Sequence, residues 1–122
     1  MDWCNFYTML TLQFDASLAT VDIWEKAIAG RIAGTIQPPQ GPAFGTAFAA
    51  AKTIVDRRRV VQGELRRLRA AAKKAVAAGA AIAPWVRDAI DLLTFLLAII
   101  DAEENVLSSR DHYAALKKRH CE

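Results

Sequence analysis

The segment AIDLLTFLLAII, residues 89–100, constrains the fold of this chain more than any other part of its sequence. Successive residues of a helix are 100° apart, so the apolar side chains of this segment would cover more than half of a helix circumference. Such a helix needs neighbours on two sides to bury it. The segment is also too short to cross a bilayer, which takes about 20 residues. We therefore expect a buried helix among other helices, and no membrane partner.

Two long stretches with helical periodicity adjoin the short connection GAAIAP, residues 79–84. Apolar residues recur every three or four positions on both sides of it, which predicts helices over about 43–78 and 84–118. Because the connection is short, we expect the two helices to form a long antiparallel hairpin within residues 43–122.

Apolar residues recur at helical spacing in two successive runs within residues 1–34, and Asp15 and Ser17 could cap the second run. We therefore predict two N-terminal helices there. Residues 35–42 contain three of the four prolines and form the predicted linker. The predicted fold is all-α, a bundle of about four helices, in a single domain over residues 1–122, because a chain of this length can bury its own core.

The two cysteines, Cys4 and Cys121, lie near opposite ends of the sequence. Two cysteines are too few for a disulfide framework and nothing indicates secretion, so we expect free thiols. Residues 1–14 lack the positive charge that begins a signal peptide, and the longest apolar run is too short to span a bilayer, so we expect a cytoplasmic location. No CxxC or HxxxH spacing occurs, and we expect neither a metal nor another cofactor.

Candidate catalytic groups are confined to the segment DAEENVLSSRDHY, residues 101–113. Glu103 and Glu104 are adjacent and would point about 100° apart on a helix, which does not make an acid–base pair. Ser108 lies near His112 in sequence, but no glycine elbow accompanies it. We interpret the segment as a solvated or ion-paired face and expect no enzyme activity.

The aromatic residues Trp3, Phe6 and Tyr7 follow helical spacing near the start of the chain. Aromatic side chains can stack on bases, but at this spacing we interpret them as core or as a docking surface. Exposed apolar area here, and the very apolar helix predicted over 89–100, would both be covered by protein partners. We therefore expect self-association or residence in a larger complex.

The segment DRRRVVQGELRRLRAAAKK, residues 56–74, contains eight of the sixteen Lys and Arg residues. Residues 43–79 carry nine basic and two acidic side chains, a net charge of +7, whereas the whole chain has +3 and the remainder therefore −4. A solvated helix face usually mixes both signs of charge. This imbalance favours an anionic partner, either a nucleic-acid backbone or the acidic surface of a protein, with a plain solvated face as the third interpretation.

The candidate nucleic-acid-binding residues form a central ridge opposite the apolar side of the predicted helix, together with the basic residues that flank this ridge. They are Lys52, Arg58, Arg59, Arg66, Arg67, Arg69, Lys73 and Lys74. Four of them form the central ridge, each seven residues from the next: Lys52, Arg59, Arg66 and Lys73. Arg57 falls nearer the apolar side, so we expect it to form an internal ion pair. Guanidinium groups bind phosphate bidentately, and the contacts would be independent of base sequence.

The helical pattern together with this ridge resembles the small helical subunits of CRISPR effector complexes. That resemblance implies a compact α-helical subunit that contacts the nucleic-acid backbone of an RNA-guided antiviral complex through basic residues. A phage structural protein, an adaptor or a secretion-apparatus component is the alternative interpretation, with the basic helix bound to an acidic protein surface.

Overall fold

A computed structural model of the chain describes residues 2–122 and contains four α-helices. They are α1 (Trp3–Thr35), α2 (Gln40–Ala50), α3 (Ile54–Ala77) and α4 (Pro84–His120). No strand occurs within residues 2–122. The predicted all-α class with about four helices is confirmed.

The first helix is continuous where the sequence predicted two helices. Asp15 and Ser17, the predicted caps, lie in the middle of α1. The Asp15 carboxylate instead accepts a hydrogen bond of 2.9 Å from Nε of Arg110 on α4. A capping residue satisfies backbone groups only at a helix end, and the apolar spacing here continues through both residues.

The helix predicted over 43–78 is divided in two, because α2 ends at Ala50 and α3 begins at Ile54. Thr53 has extended backbone angles, and its side chain accepts a hydrogen bond of 3.1 Å from the Asp56 backbone nitrogen. This is the usual N-cap arrangement, which satisfies a backbone donor that has no partner inside the helix. Part of the predicted linker is also helical, since α2 begins at Gln40.

The end of α3 was predicted within one residue. Gly79 has a positive φ of 75°, and its nitrogen donates to the Val76 oxygen at 3.0 Å. The Ala80 nitrogen donates to the Ala75 oxygen at 2.9 Å, which completes a Schellman motif. The connection GAAIAP thus ends one helix and leads to Pro84 at the start of the next.

Residue contacts divide the chain into two compact units. The first, here called the core unit, is Glu25–Ile100 and takes in α2, α3 and the adjoining parts of α1 and α4. All four helices contribute to its single hydrophobic core. The buried core residues are Ala29, Ile32, Ile36, Phe44, Phe48, Val61, Leu65, Leu68, Ala89, Leu93, Leu96 and Ile100. Burial of the apolar segment 89–100 is confirmed for Ala89, Leu93, Leu96, Ile99 and Ile100, whereas Phe95 is 56% exposed. The antiparallel orientation of α3 and α4 and a single domain stay predictions.

The second unit, here called the paired-helix unit, combines Met1–Trp24 with Asp101–Glu122. Phe14 stacks on Tyr113 with ring centroids 5.7 Å apart, and a disulfide joins Cys4 to Cys121 with their Cα atoms 4.9 Å apart. Partners later in α1 lie earlier in α4, so the two segments run antiparallel. The prediction of free thiols is wrong, because antiparallel pairing brings together two cysteines that are 117 residues apart in sequence.

Within residues 2–122, none of the helices combines the length and the apolar character that crossing a membrane requires.

Candidate nucleic-acid interface

The basic helix α3 has one buried side and one charged side. Val61, Leu65 and Leu68 are at most 4% exposed and belong to the core. At 100° per residue, Arg66 and Lys73 lie within 20° of each other and about 110° to 135° from the middle of the side that those three residues form. The core contacts of α3 therefore hold its cationic side towards solvent.

Four cations on this side are exposed and have no ion-pair partner within residues 2–122. They are Arg66, Arg69, Lys73 and Lys74, and we call them the basic face. They span eight residue steps, or about 12 Å along the helix axis. Side chains of one sign at this density repel one another, and an anion would relieve that repulsion.

Three further predicted site residues are partly engaged. Arg59 contacts Asp56 at 3.5 Å, but its side chain is 74% exposed and the pair is correspondingly weak. Arg67 donates from Nε to Glu64 at 2.9 Å and pairs with the same carboxylate through a second nitrogen. Arg58 is half-buried and has an interaction partner in the fold. These three residues flank the basic face, and their contacts within the fold leave them less available to bind an anion.

Lys52 does not belong to the helical ridge. It lies in the connection between α2 and α3, and its Nζ donates to the Ala49 carbonyl oxygen at 2.9 Å. A cation at this place satisfies a carbonyl group and complements the negative end of the α2 dipole. The predicted seven-residue step from Lys52 to Arg59 assumed one continuous helix, and the break at Thr53 removes that geometry.

Arg57 forms the internal ion pair that the sequence predicted. Its Nε lies 3.1 Å from Oε1 of Glu25, whose side chain is 2% exposed, and Arg57 itself is 16% exposed. A second nitrogen donates to the Lys52 carbonyl oxygen at 3.1 Å. Sequence reasoning missed Glu25 because the only signal was an acidic residue within the apolar spacing of α1.

An open groove in the core unit, of about 510 Å³, was also missed by sequence reasoning. Arg31, Asp88, Asp91 and Phe95 contribute to its lining. Two carboxylates against one guanidinium give it a net negative charge, so it is not a second site for a polyanion.

The segment 101–113 has ion pairs of its own. Hydrogen bonds that Arg110 donates to Asp15 and then to Asp111 raise the pKa of Arg110 above its ordinary value, so Arg110 stays cationic. Among the residues that the structure describes, no three His, Cys, Asp or Glu side chains come together as metal ligands would.

Trp3 and Phe6 are 46% and 41% exposed, so the interpretation of these two side chains as core is wrong.

Comparisons with models of protein families, with curated proteins and with solved structures found no match to this chain.

Proposed function

We propose that this chain is a non-catalytic subunit of a larger assembly and contacts the phosphate backbone of a nucleic acid through α3. The observation that supports this most directly is the basic face, four exposed cations between Arg66 and Lys74 with no ion-pair partner in residues 2–122. Contacts of this kind neutralise phosphates in either DNA or RNA and do not read bases. An RNA-guided antiviral complex is one assembly of this kind.

The second candidate is a structural or adaptor subunit whose basic face binds an acidic protein surface. Exposed apolar side chains on α1 favour it, because residence in a protein assembly would cover them. Among these are Met9, Leu12 and Ile23, which are 55%, 63% and 65% exposed.

Equilibrium binding to polyanions of equal charge separates the two candidates. The probes are mixed-sequence single-stranded DNA, duplex DNA and RNA, and poly-glutamate of matched charge. We expect all three nucleic acids to bind more tightly than poly-glutamate, because a guanidinium fork matches phosphate and the contacts ignore sequence. Tighter binding of poly-glutamate would overturn the first candidate in favour of the second.

The matched control changes the same number of charges elsewhere. Arg66→Ala combined with Lys73→Ala should weaken nucleic-acid binding, whereas Lys118→Ala combined with Arg119→Ala on the exposed end of α4 should not. Equal losses in both double variants would indicate a response to net charge rather than a site on α3.

A cytoplasmic location was expected from the absence of a signal-peptide pattern and of a long enough apolar run, and the Cys4–Cys121 disulfide argues against that location. Disulfides persist chiefly in oxidising compartments, whereas cytosolic reductants keep such pairs as thiols. Rapid thiol alkylation in intact cells tests the location. Unreacted cysteines would place the protein in an oxidising compartment, and alkylated cysteines would favour the cytoplasm.

A further inference from the structure

The paired-helix unit buries almost none of its side chains. Within its described residues, 2–24 and 101–122, only Thr11 and Glu103 are buried, and both are polar. All the buried apolar side chains of residues 2–122 belong to the core unit instead. Because apolar burial is the main source of folding stability, and helices in water depend on packing, the paired-helix unit needs another source of stability.

The side-chain contacts between the two segments of this unit are partly exposed to solvent. Tyr7 and Phe14 both stack on Tyr113, with ring centroids 6.0 and 5.7 Å apart, and all three rings are half-buried. Asp15 and Arg110 form an ion pair in which the side chains are 46% and 38% exposed, so water weakens it. Such contacts hold the segments in register but add little stability.

The disulfide joins the two segments at one end of the unit. At the other end, Trp24 and Asp101 lead directly into the core unit, where apolar burial holds the chain. Cys4 and Cys121 are the only cysteines, so their bond is the only covalent link between the segments. Breaking it would leave the first part of α1 and the last part of α4 anchored at one end only.

This disulfide is accessible to a reductant. Cys121 follows the last residue of α4 and is exposed, while Cys4 is half-buried. Thiol–disulfide exchange begins when a thiolate attacks an accessible sulfur. A dithiol would attack Sγ of Cys121 and release Cys4, and its second thiol would then release Cys121. The dithiol is oxidised to a disulfide, and its two protons go to the two cysteine thiols.

We infer that the Cys4–Cys121 disulfide is a redox switch: a dithiol reductant opens the paired-helix unit from its disulfide-bonded end, while the core unit keeps its fold. The switch would respond when the protein passes between an oxidising and a reducing compartment. The basic face lies on α3 in the core unit, so the switch does not depend on the proposed nucleic-acid contact.

Hydrogen–deuterium exchange of the full-length protein, with mass spectrometry of its peptides, tests the inference under native conditions. Dithiothreitol should increase deuterium uptake at labelling times of seconds to minutes in peptides from 3–24 and 101–120. We expect exchange there to become faster by about tenfold or more, because a helix without a packed partner opens locally. Peptides from α3 should remain protected at these times. Reoxidation with oxidised glutathione should restore the original uptake.

The control variant combines Cys4→Ser with Cys121→Ser. Without reductant it should show the rapid exchange of the reduced wild type, and dithiothreitol should not change it. Equal uptake in the oxidised and reduced wild type would overturn the inference, as would a double variant that is as protected as the oxidised protein. A disulfide that dithiothreitol reduces only after denaturation would do so too. Equal loss of protection in α3 would also overturn it, because the whole chain would then unfold.

Discussion

At the scale of single residues, the ion pair between Arg57 and Glu25 joins α3 to α1 inside the core unit. The Glu25 carboxylate is almost fully buried and lies 3.1 Å from Arg57 Nε. The helical wheel places Arg57 next to the apolar side of α3, so its internal role could be predicted from the sequence. Its partner could not, because the two residues are 32 positions apart and the register of α1 on α3 depends on tertiary packing.

Arg57→Ala should lower the free energy of unfolding by about 3 kcal/mol, because it removes the guanidinium group that lies 3.1 Å from a buried carboxylate. Urea denaturation followed by circular dichroism measures this change. Arg66→Ala is the matched control, and as an exposed surface substitution it should change stability by less than about 0.5 kcal/mol. Similar effects of the two substitutions would contradict the internal role of Arg57.

At the scale of elements, helix interiors were easier to predict than helix ends. The apolar segment 89–100 and the end of α3 near Gly79 follow from periodicity and turn chemistry. The break before α3 has a local signal, Thr53 followed three residues later by Asp56. The alanine-rich sequence on the N-terminal side of Thr53 hid that signal, because alanine favours helix whether or not the helix is interrupted there. Asp15 was wrongly predicted as a helix cap because its actual partner, Arg110, lies 95 residues away in the sequence and gives no local signal.

The start of α2 depends on a glycine that allows close backbone approach. Gly41 is buried, and a Cβ atom at this position would overlap the carbonyl oxygens of Ala33 and Ile36. Gly41→Ala should therefore lower stability by about 2 kcal/mol, as expected of an overpacked core position. Thermal unfolding measures it.

Gly30→Ala provides the control for that substitution. Gly30 lies inside α1, and a Cβ atom there meets nothing within 4 Å. Alanine is the better helix former, so this variant should gain about 0.5 to 1 kcal/mol. A Gly41→Ala variant as stable as the wild type would show that α2 does not pack on these carbonyl groups.

At the scale of the whole molecule, the disulfide closes nearly the entire chain into one covalent loop. Cys4 and Cys121 are 117 residues apart. Composition and spacing could not reveal this pair, because the antiparallel contact of the two helix ends appears only once the chain has folded. The paired-helix unit was therefore the part of the structure that sequence reasoning described least well.

Replacing both cysteines by serine should lower the free energy of unfolding by about 4 to 5 kcal/mol, because a cross-link across a loop of this length restricts the unfolded chain. Guanidinium denaturation of the oxidised wild type and of the double variant measures the loss. A chemical reductant should destabilise the wild type by a similar amount and leave the double variant unaffected. If the reductant also destabilised the double variant, its effect on the wild type could not be assigned to the disulfide.

The salt dependence of binding to duplex DNA tests the proposed role of the basic face most directly. If its four cations each neutralise one phosphate, the logarithm of the association constant should fall with the logarithm of salt concentration at a slope of about −3.6. Arg66→Ala combined with Lys73→Ala should reduce the magnitude of that slope by about 1.8, whereas Lys118→Ala combined with Arg119→Ala should leave it unchanged. A wild-type affinity that does not respond to salt, or a slope that the first double variant leaves as it was, would contradict the account.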